Sequence, residues 1–303
     1  LSFFSHRHMQ RPDSIEHIVI VGGGSAGWLT AGVIAAEHRI DPEEPHRFEL
    51  VLIESPDVPT IGVGEGTWPS MRATLQRIGL SETDFVRECD ASFKQGTWFR
   101  NWQTGNGDTY SHPFTVPVDF ADTNLAPHWL ALTGAPPFAD AVTPQTALFA
   151  ECLAPKQITT PEYAFVVNYG YHLDAGKFVE LLRRHCTEKL GVKHVRANVS
   201  QINAAENGDI RSVTTDRAGE IEGDLFIDCT GTRSLLLGEH FGVPFQSQQA
   251  CLFNDTALAA QVPYADENQP IQSCTHSTAQ TSGWIWDIGL PTRRGTGHVY
   301  SSA

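Results

Sequence analysis

Gly22, Gly24 and Gly27 stand in the spacing G-x-G-x-x-G. In such a loop the first glycine allows a sharp turn. The second lets backbone N–H groups approach a pyrophosphate, and the third lets a helix pack closely on a strand. The amides of Ser25 and Ala26 would open that helix, whose N-terminus adds partial positive charge for an anion. Glu54 lies 27 residues beyond Gly27, at the end of an apolar run. A carboxylate there can accept hydrogen bonds from a ribose diol and would repel a ribose phosphate, which favours FAD or NAD over NADP.

Lys94 is the second chemically unusual residue. It is one of only five lysines and sits among Phe93, Trp98, Phe99 and Trp102. An ammonium in apolar surroundings either loses its proton more readily or donates a hydrogen bond to a reactive group; the alternative is a lysine snorkelling from an aromatic segment. Trp284 and Trp286 are two apart, so on a strand they share a face as an aromatic wall or as plain core. Gly62, Gly64 and Gly66 punctuate a loop that enters a helix, with Glu65 among them. His112 and Phe114 flank Pro113 shortly after the lysine segment. Val199 is a candidate backbone contact for an adenine, and Asp228 a candidate strand-end contact.

The elements needed to hold these residues are visible in the pattern. Residues 15–21 form a short apolar run of the buried parallel-strand kind, followed by the glycine loop, a helix over 26–37 and a second strand over 47–54. A helix should start with Pro69 at its first position. Ser81 and Asp84 form a capping box for a helix over 82–89. Residues 103–160 read as loops and short helices. A helix over 175–190 carries Phe178, Leu181, Leu182, Cys186 and Leu190 on one stripe and stops at Gly191. A strand over 194–203, a hairpin turn at Asn207-Gly208, a strand over 210–215, a turn near Gly219 and an apolar strand over 224–230 follow. The fold class is therefore α/β, Rossmann-like and FAD/NAD(P)-binding. The meander before the last apolar strand resembles flavoproteins of the glutathione-reductase and p-hydroxybenzoate-hydroxylase type, which favours FAD.

Global properties exclude more than they identify. The chain has 303 residues and a net charge of −14, from 21 basic and 35 acidic side chains. That balance argues against nucleic-acid binding. No apolar run approaches a bilayer span. The six cysteines contain no CxxC pair, so no metal site is expected, and buried thiols suit a cytoplasmic setting.

Four segments, taken together, resemble the flavin-dependent halogenases of the tryptophan halogenase family. They are VGGGSAGW (21–28), TIGVGEGTWPS (60–70), ASFKQGTWFRNW (91–102) and SGWIWDIGLPTRRGTGHVYSS (282–302). The family's W-x-W-x-I-P element reads here as Trp284-Ile285-Trp286-Asp287-Ile288-Gly289, with glycine in place of the proline. The resemblance implies that FADH2, O2 and a chloride or bromide ion yield hypohalous acid. Lys94 would activate it for substitution on an aromatic ring such as tryptophan or another indole. It further implies a flavin strap over 60–70 carrying Gly64 and Glu65, and a substrate pocket lined by His112 and Phe114. Trp284 and Trp286 would form a barrier, a separate flavin reductase would be the partner, and a homodimer is compatible with the pattern. The halogenase domain would run over 15–303. Within it, 15–102 and 161–245 would form the FAD module, 103–160 an insertion, and 246–303 the strands bearing the tryptophans. Family members are longer, so the glutamate partner of the lysine and the halide turn are expected beyond residue 303. A protein ending there is expected to be unstable and inactive. The rival readings are an FAD-dependent aromatic hydroxylase, which would need neither Lys94 nor the tryptophan pair, and an inactive flavin-binding fragment.

Overall fold

A computed structural model describes residues 15–38, 48–59, 62–266 and 268–303. By contact, the chain divides into two compact units: 1–59 with 183–244, and 60–182 with 245–303. Residues 60–102 and 161–182, grouped with the FAD module in the sequence reading, thus fall with the tryptophan-bearing strands.

The first unit is built on a four-stranded parallel sheet in the order Leu225–Asp228, His17–Val21, Glu49–Glu54, Lys193–Arg196. Val19 and Ile20 are fully buried, as a near-continuous apolar strand requires when both faces are covered. The helix Ser25–Glu37 follows the first strand directly. An antiparallel meander, Val199–Ala204, Ile210–Thr215 and Gly219–Glu222, turns at Gly208 and Gly219, both with positive φ. Its Val213 joins Val19, Val21, Val51, Ile53, Leu235 and Leu236 in one apolar cluster.

The strand expected over 194–203 is two strands in two sheets. Ala197 N–H bonds to Glu54 O, its last tie to the parallel sheet, and Asn198 N–H bonds to the Asp216 carboxylate in the meander's turn. The chain changes sheets between those two bonds, which hydrophobic alternation cannot reveal. The helix expected to begin with Pro69 inside it begins at Ser70, with Pro69 as its N-cap. Ser81 does cap the helix Glu82–Glu88, accepting from Asp84 N–H at 3.2 Å.

The second unit holds a six-stranded sheet, in the order Thr256–Pro263, Arg293–Tyr300, Trp284–Gly289, Thr275–Ala279, Gly96–Arg100, Thr109–Pro113. It also holds a small antiparallel sheet in the order Glu65–Gly66, Gly170–Leu173, Ser92–Lys94. One buried polar hub anchors it. The Glu82 carboxylate accepts from Lys156 Nζ at 2.7 Å, Tyr163 N–H at 2.7 Å, Tyr169 OH at 2.6 Å and Tyr171 OH at 2.7 Å. Burial alone would raise its pKa; the hydrogen bonds from Lys156, Tyr169, the Tyr163 amide and Tyr171 outweigh it and hold the carboxyl below its ordinary value.

A carboxyl whose folded pKa is depressed stabilises the fold fully above the ordinary glutamate value of about 4.3, and that stability disappears as pH falls through the folded pKa. Glu82→Gln leaves Lys156 buried without its counter-charge, so it should cost about 3–5 kcal/mol at pH 7. Urea unfolding at pH 7 and pH 3 checks this: the gap between the two proteins should shrink at the lower pH.

Candidate active site

The glycine loop has the geometry its spacing predicts. Gly22 has φ +120°, donates to Ile53 O at 2.9 Å, and a Cβ there would lie 2.1 Å from Cys229 O. A Cβ on Gly27 would meet Gly22 O at 1.9 Å, so its hydrogen lets the helix close onto the turn. At Gly24 a Cβ would meet nothing within 4 Å. That is the open side a phosphate needs, and Gly24 caps the helix with no side-chain hydrogen bond to its first amides. Ser25 begins the helix partly buried and Ala26 is exposed.

Glu54 ends its strand beside this loop. A Cβ on Gly23 would lie 2.3 Å from Glu54 Cγ, so the carboxylate arm leans over the loop. An uncapped helix start, an open glycine and an adjacent acid fit the adenosine and pyrophosphate of FAD. Val199 opens the meander and packs partly buried on the apolar cluster. Asp228 is committed within the protein: its carboxylate accepts from Thr230 N–H at 3.0 Å, Thr230 Oγ1, Leu236 N–H at 2.8 Å and Leu237 N–H at 3.0 Å. It thereby shapes the chain that follows the strand end.

The remaining predicted residues belong to the second unit. Lys94 ends the strand Ser92–Lys94, opposite Gly170. Its Nζ lies 5.5 Å from the centroid of Phe114. It also lies 3.0 Å from the point where a Gly66 Cβ would be. Burial pushes the ammonium pKa below the usual lysine value. The strap supplies room by omission, with glycine at every second position. A Cβ on Gly62 would meet Gly176 N at 3.4 Å; one on Gly64, at φ +91°, would meet Ile288 Cδ1 at 2.9 Å; and one on Gly66 would meet Lys94. Glu65 points the other way and stays open to solvent, while partial desolvation raises its pKa.

Phe114 is buried and His112 exposed. Both ring systems face Trp68 of the strap, with centroids 5.4 Å and 6.3 Å away. Trp284 and Trp286 share a sheet face, 6.3 Å apart. Trp286 lies over Gly297 on the next strand, where a Cβ would fall 2.0 Å from its ring. The W-x-W-x-I segment thus touches the strap through Ile288, and the strap touches the lysine through Gly66.

Two further residues of this unit were not singled out in the sequence. Trp68 lies within the 60–70 segment but read there only as the residue before a helix. His172 lies in the run Gly170–Leu173, every residue of which is buried, and so looks like core. His172 pairs with Ser92 on one side and Gly66 on the other. Its Nε2 lies 2.9 Å from Thr275 Oγ1, and its Nδ1 is buried without a partner. Burial, then the nearby Lys94 charge, pushes its pKa well down, so the imidazole is neutral beside the ammonium. Cys274 is buried nearby, its thiol pushed by burial up to about 12.

Comparison with known proteins identifies the family and the fold. The family description "Tryptophan halogenase" matches residues 17–303. The chain is 34% identical to tryptophan 7-halogenase RebH of Lentzea aerocolonigenes, over 95% of this chain and 56% of RebH. It is 33% identical to tryptophan 6-halogenase ThaL of Streptomyces albogriseolus, again over 95% of this chain and 56% of the relative. Among solved structures, a tryptophan halogenase from Shewanella frigidimarina superposes with a TM-score of 0.92 at 58% identity, covering 96% of this chain and 56% of that one. The tryptophan C-6 halogenase Tar14 superposes at 0.85 with 36% identity, covering 95% and 57%. The chain thus spans a little over half the length of the curated relatives it matches. With a family match from residue 17 to residue 303, the chain belongs to the tryptophan halogenase family.

Proposed function

We propose that the protein halogenates an aromatic ring, with tryptophan or another indole as the substrate class and reduced FAD, O2 and chloride or bromide as co-reactants. The observation that carries this is the placement of Lys94: an ammonium whose pKa burial lowers, against a strap glycine and the Phe114 ring. Bound FADH2 with O2 and halide supplies hypohalous acid.

The chain's own residues do the rest. Gly22, Gly24, Gly27 and the first helix amides hold the pyrophosphate, and Glu54 holds the ribose. Lys94 donates a hydrogen bond to the hypohalous acid, or takes its halogen on a neutral amine, and so directs the electrophile. The ring carbon gains the halogen and loses a proton, and water leaves. Trp68, His112 and Phe114 stack the substrate ring. Trp284 and Trp286 keep that ring from the flavin, which suppresses direct oxygenation. The electrons arrive as FADH2 from a separate reductase, the working compartment is the cytoplasm, and two copies can associate. Among the described residues no helix is long and apolar enough to cross a membrane.

The test is product analysis. Protein supplied with tryptophan or indole, O2, bromide and FADH2 from a reductase should give a ring-brominated product, seen by mass, and none without halide. A hydroxylated product that forms equally without halide would establish the hydroxylase reading instead.

A further inference from the structure

Glu54 is held from two sides. On one side its Cγ rests on Gly23, where no side chain fits. On the other, His194 of the strand Lys193–Arg196 brings Nε2 to 2.8 Å from Glu54 Oε2. Leu52 pairs with His194 and Glu54 with Arg196 in the parallel register, which puts Glu54 and His194 on one face of the sheet. The His194 ring is itself fixed. It meets Trp28, a fully buried residue of the helix Ser25–Glu37, edge-on at 5.0 Å and 71°. Both atoms are buried and neither makes a well-aligned hydrogen bond, so this 2.8 Å approach is the polar contact that brings them together. Oε2 therefore lies against the imidazole, and Oε1 is left for a ligand.

We propose that His194 is a positioning residue for cofactor binding: braced by Trp28, it immobilises Glu54 so that Oε1 meets the adenosine ribose of FAD. This rests on the FAD reading of the glycine loop above. A free glutamate samples several rotamers, and a ligand must freeze them; a glutamate pinned between Gly23 and His194 has already lost that freedom.

The measurement is the Kd for oxidised FAD by flavin fluorescence titration, with far-UV circular dichroism to confirm folding. His194→Phe keeps a ring against Trp28 but removes Nε2, and should weaken FAD by about three- to tenfold. His194→Gln restores a donor and should bind nearly as the native protein does. In a Glu54→Ala background, which itself binds FAD more weakly, adding His194→Phe should cause no further loss, because the histidine acts only through the carboxylate. An equal loss with and without Glu54 makes His194 a merely structural residue and overturns the proposal. So does an unchanged Kd for His194→Phe while Glu54→Ala weakens binding. An unchanged Kd for Glu54→Ala removes the ribose role of Glu54, and this inference with it. If His194→Phe does not fold, His194→Asn, too short to reach Oε2, takes its place in both backgrounds.

Discussion

Lys94→Met should lose halogenation by about 10²–10⁴-fold, the usual effect of removing a group that handles the reacting proton or charge, while the Kd for FAD stays unchanged. Methionine keeps the length and most of the apolar contact of the lysine arm, so the Phe114 ring and the small sheet lose little packing. What goes is the one ammonium beside Gly66. The same variant should also unfold at higher denaturant. Burial depresses the folded pKa of Lys94. The folded protein therefore holds that proton less tightly than the unfolded chain does, and the charge destabilises the fold at every pH below the folded pKa. The stability gained by Lys94→Met should be largest at neutral pH and shrink as pH rises toward the ordinary lysine value of about 10.4. Full turnover by the variant would remove Lys94 from the chemistry. A lower stability at pH 7 would show that its charge is better solvated than its burial implies.

Gly22→Ala should abolish FAD binding and destabilise the first unit by roughly 2 to 6 kcal/mol, the sum of a disfavoured backbone conformation and a steric overlap. Two independent facts combine here. The backbone sits at φ +120°, which side-chain-bearing residues rarely adopt, and the added carbon would lie 2.1 Å from Cys229 O. The obstacle is backbone and cannot swing aside. Relieving it means separating the strand His17–Val21 from Leu225–Asp228, its parallel neighbour. Gly24→Ala is the internal comparison. The fold has open space there, so its stability should hardly change while FAD affinity falls. Thermal unfolding and FAD titration of the two variants together separate the loop's structural glycine from its ligand-facing one.

Much of both units was legible because the informative residues are costly choices. A glycine triplet after an apolar strand, an acid ending the next strand and a lysine among tryptophans each violate a local preference, and the chain tolerates them for a reason of geometry or chemistry. The residues that escaped notice violate nothing locally. His194 sits in an unremarkable strand and acquires meaning only beside Glu54, 140 positions earlier. His172 looks like core because it is core; that Lys94 is its neighbour follows from the pairing of Gly170–Leu173 with Ser92–Lys94. The break between residues 196 and 199 was hidden for the same reason. Hydrophobic alternation runs through both strands, and only the hydrogen bonds of Ala197 and Asn198 show the change of sheet.

The strap's spacing has a practical consequence for anyone reshaping this protein. Position 64, at φ +91°, takes no side chain without displacing Ile288, and a side chain at position 66 would press on the end of the Lys94 arm, whereas a Cβ at position 62 would make ordinary contact with Gly176. Val63, Glu65 and Thr67 already carry side chains between them. A randomised library spread evenly over this stretch would lose members at position 64 and disturb Lys94 at position 66. One confined to 63, 65 and 67 would keep them. A single-residue deletion before Gly62 would be worse than any one substitution: it would slide Glu65 into the tight space against Ile288 and Thr67 into the space beside Lys94 together.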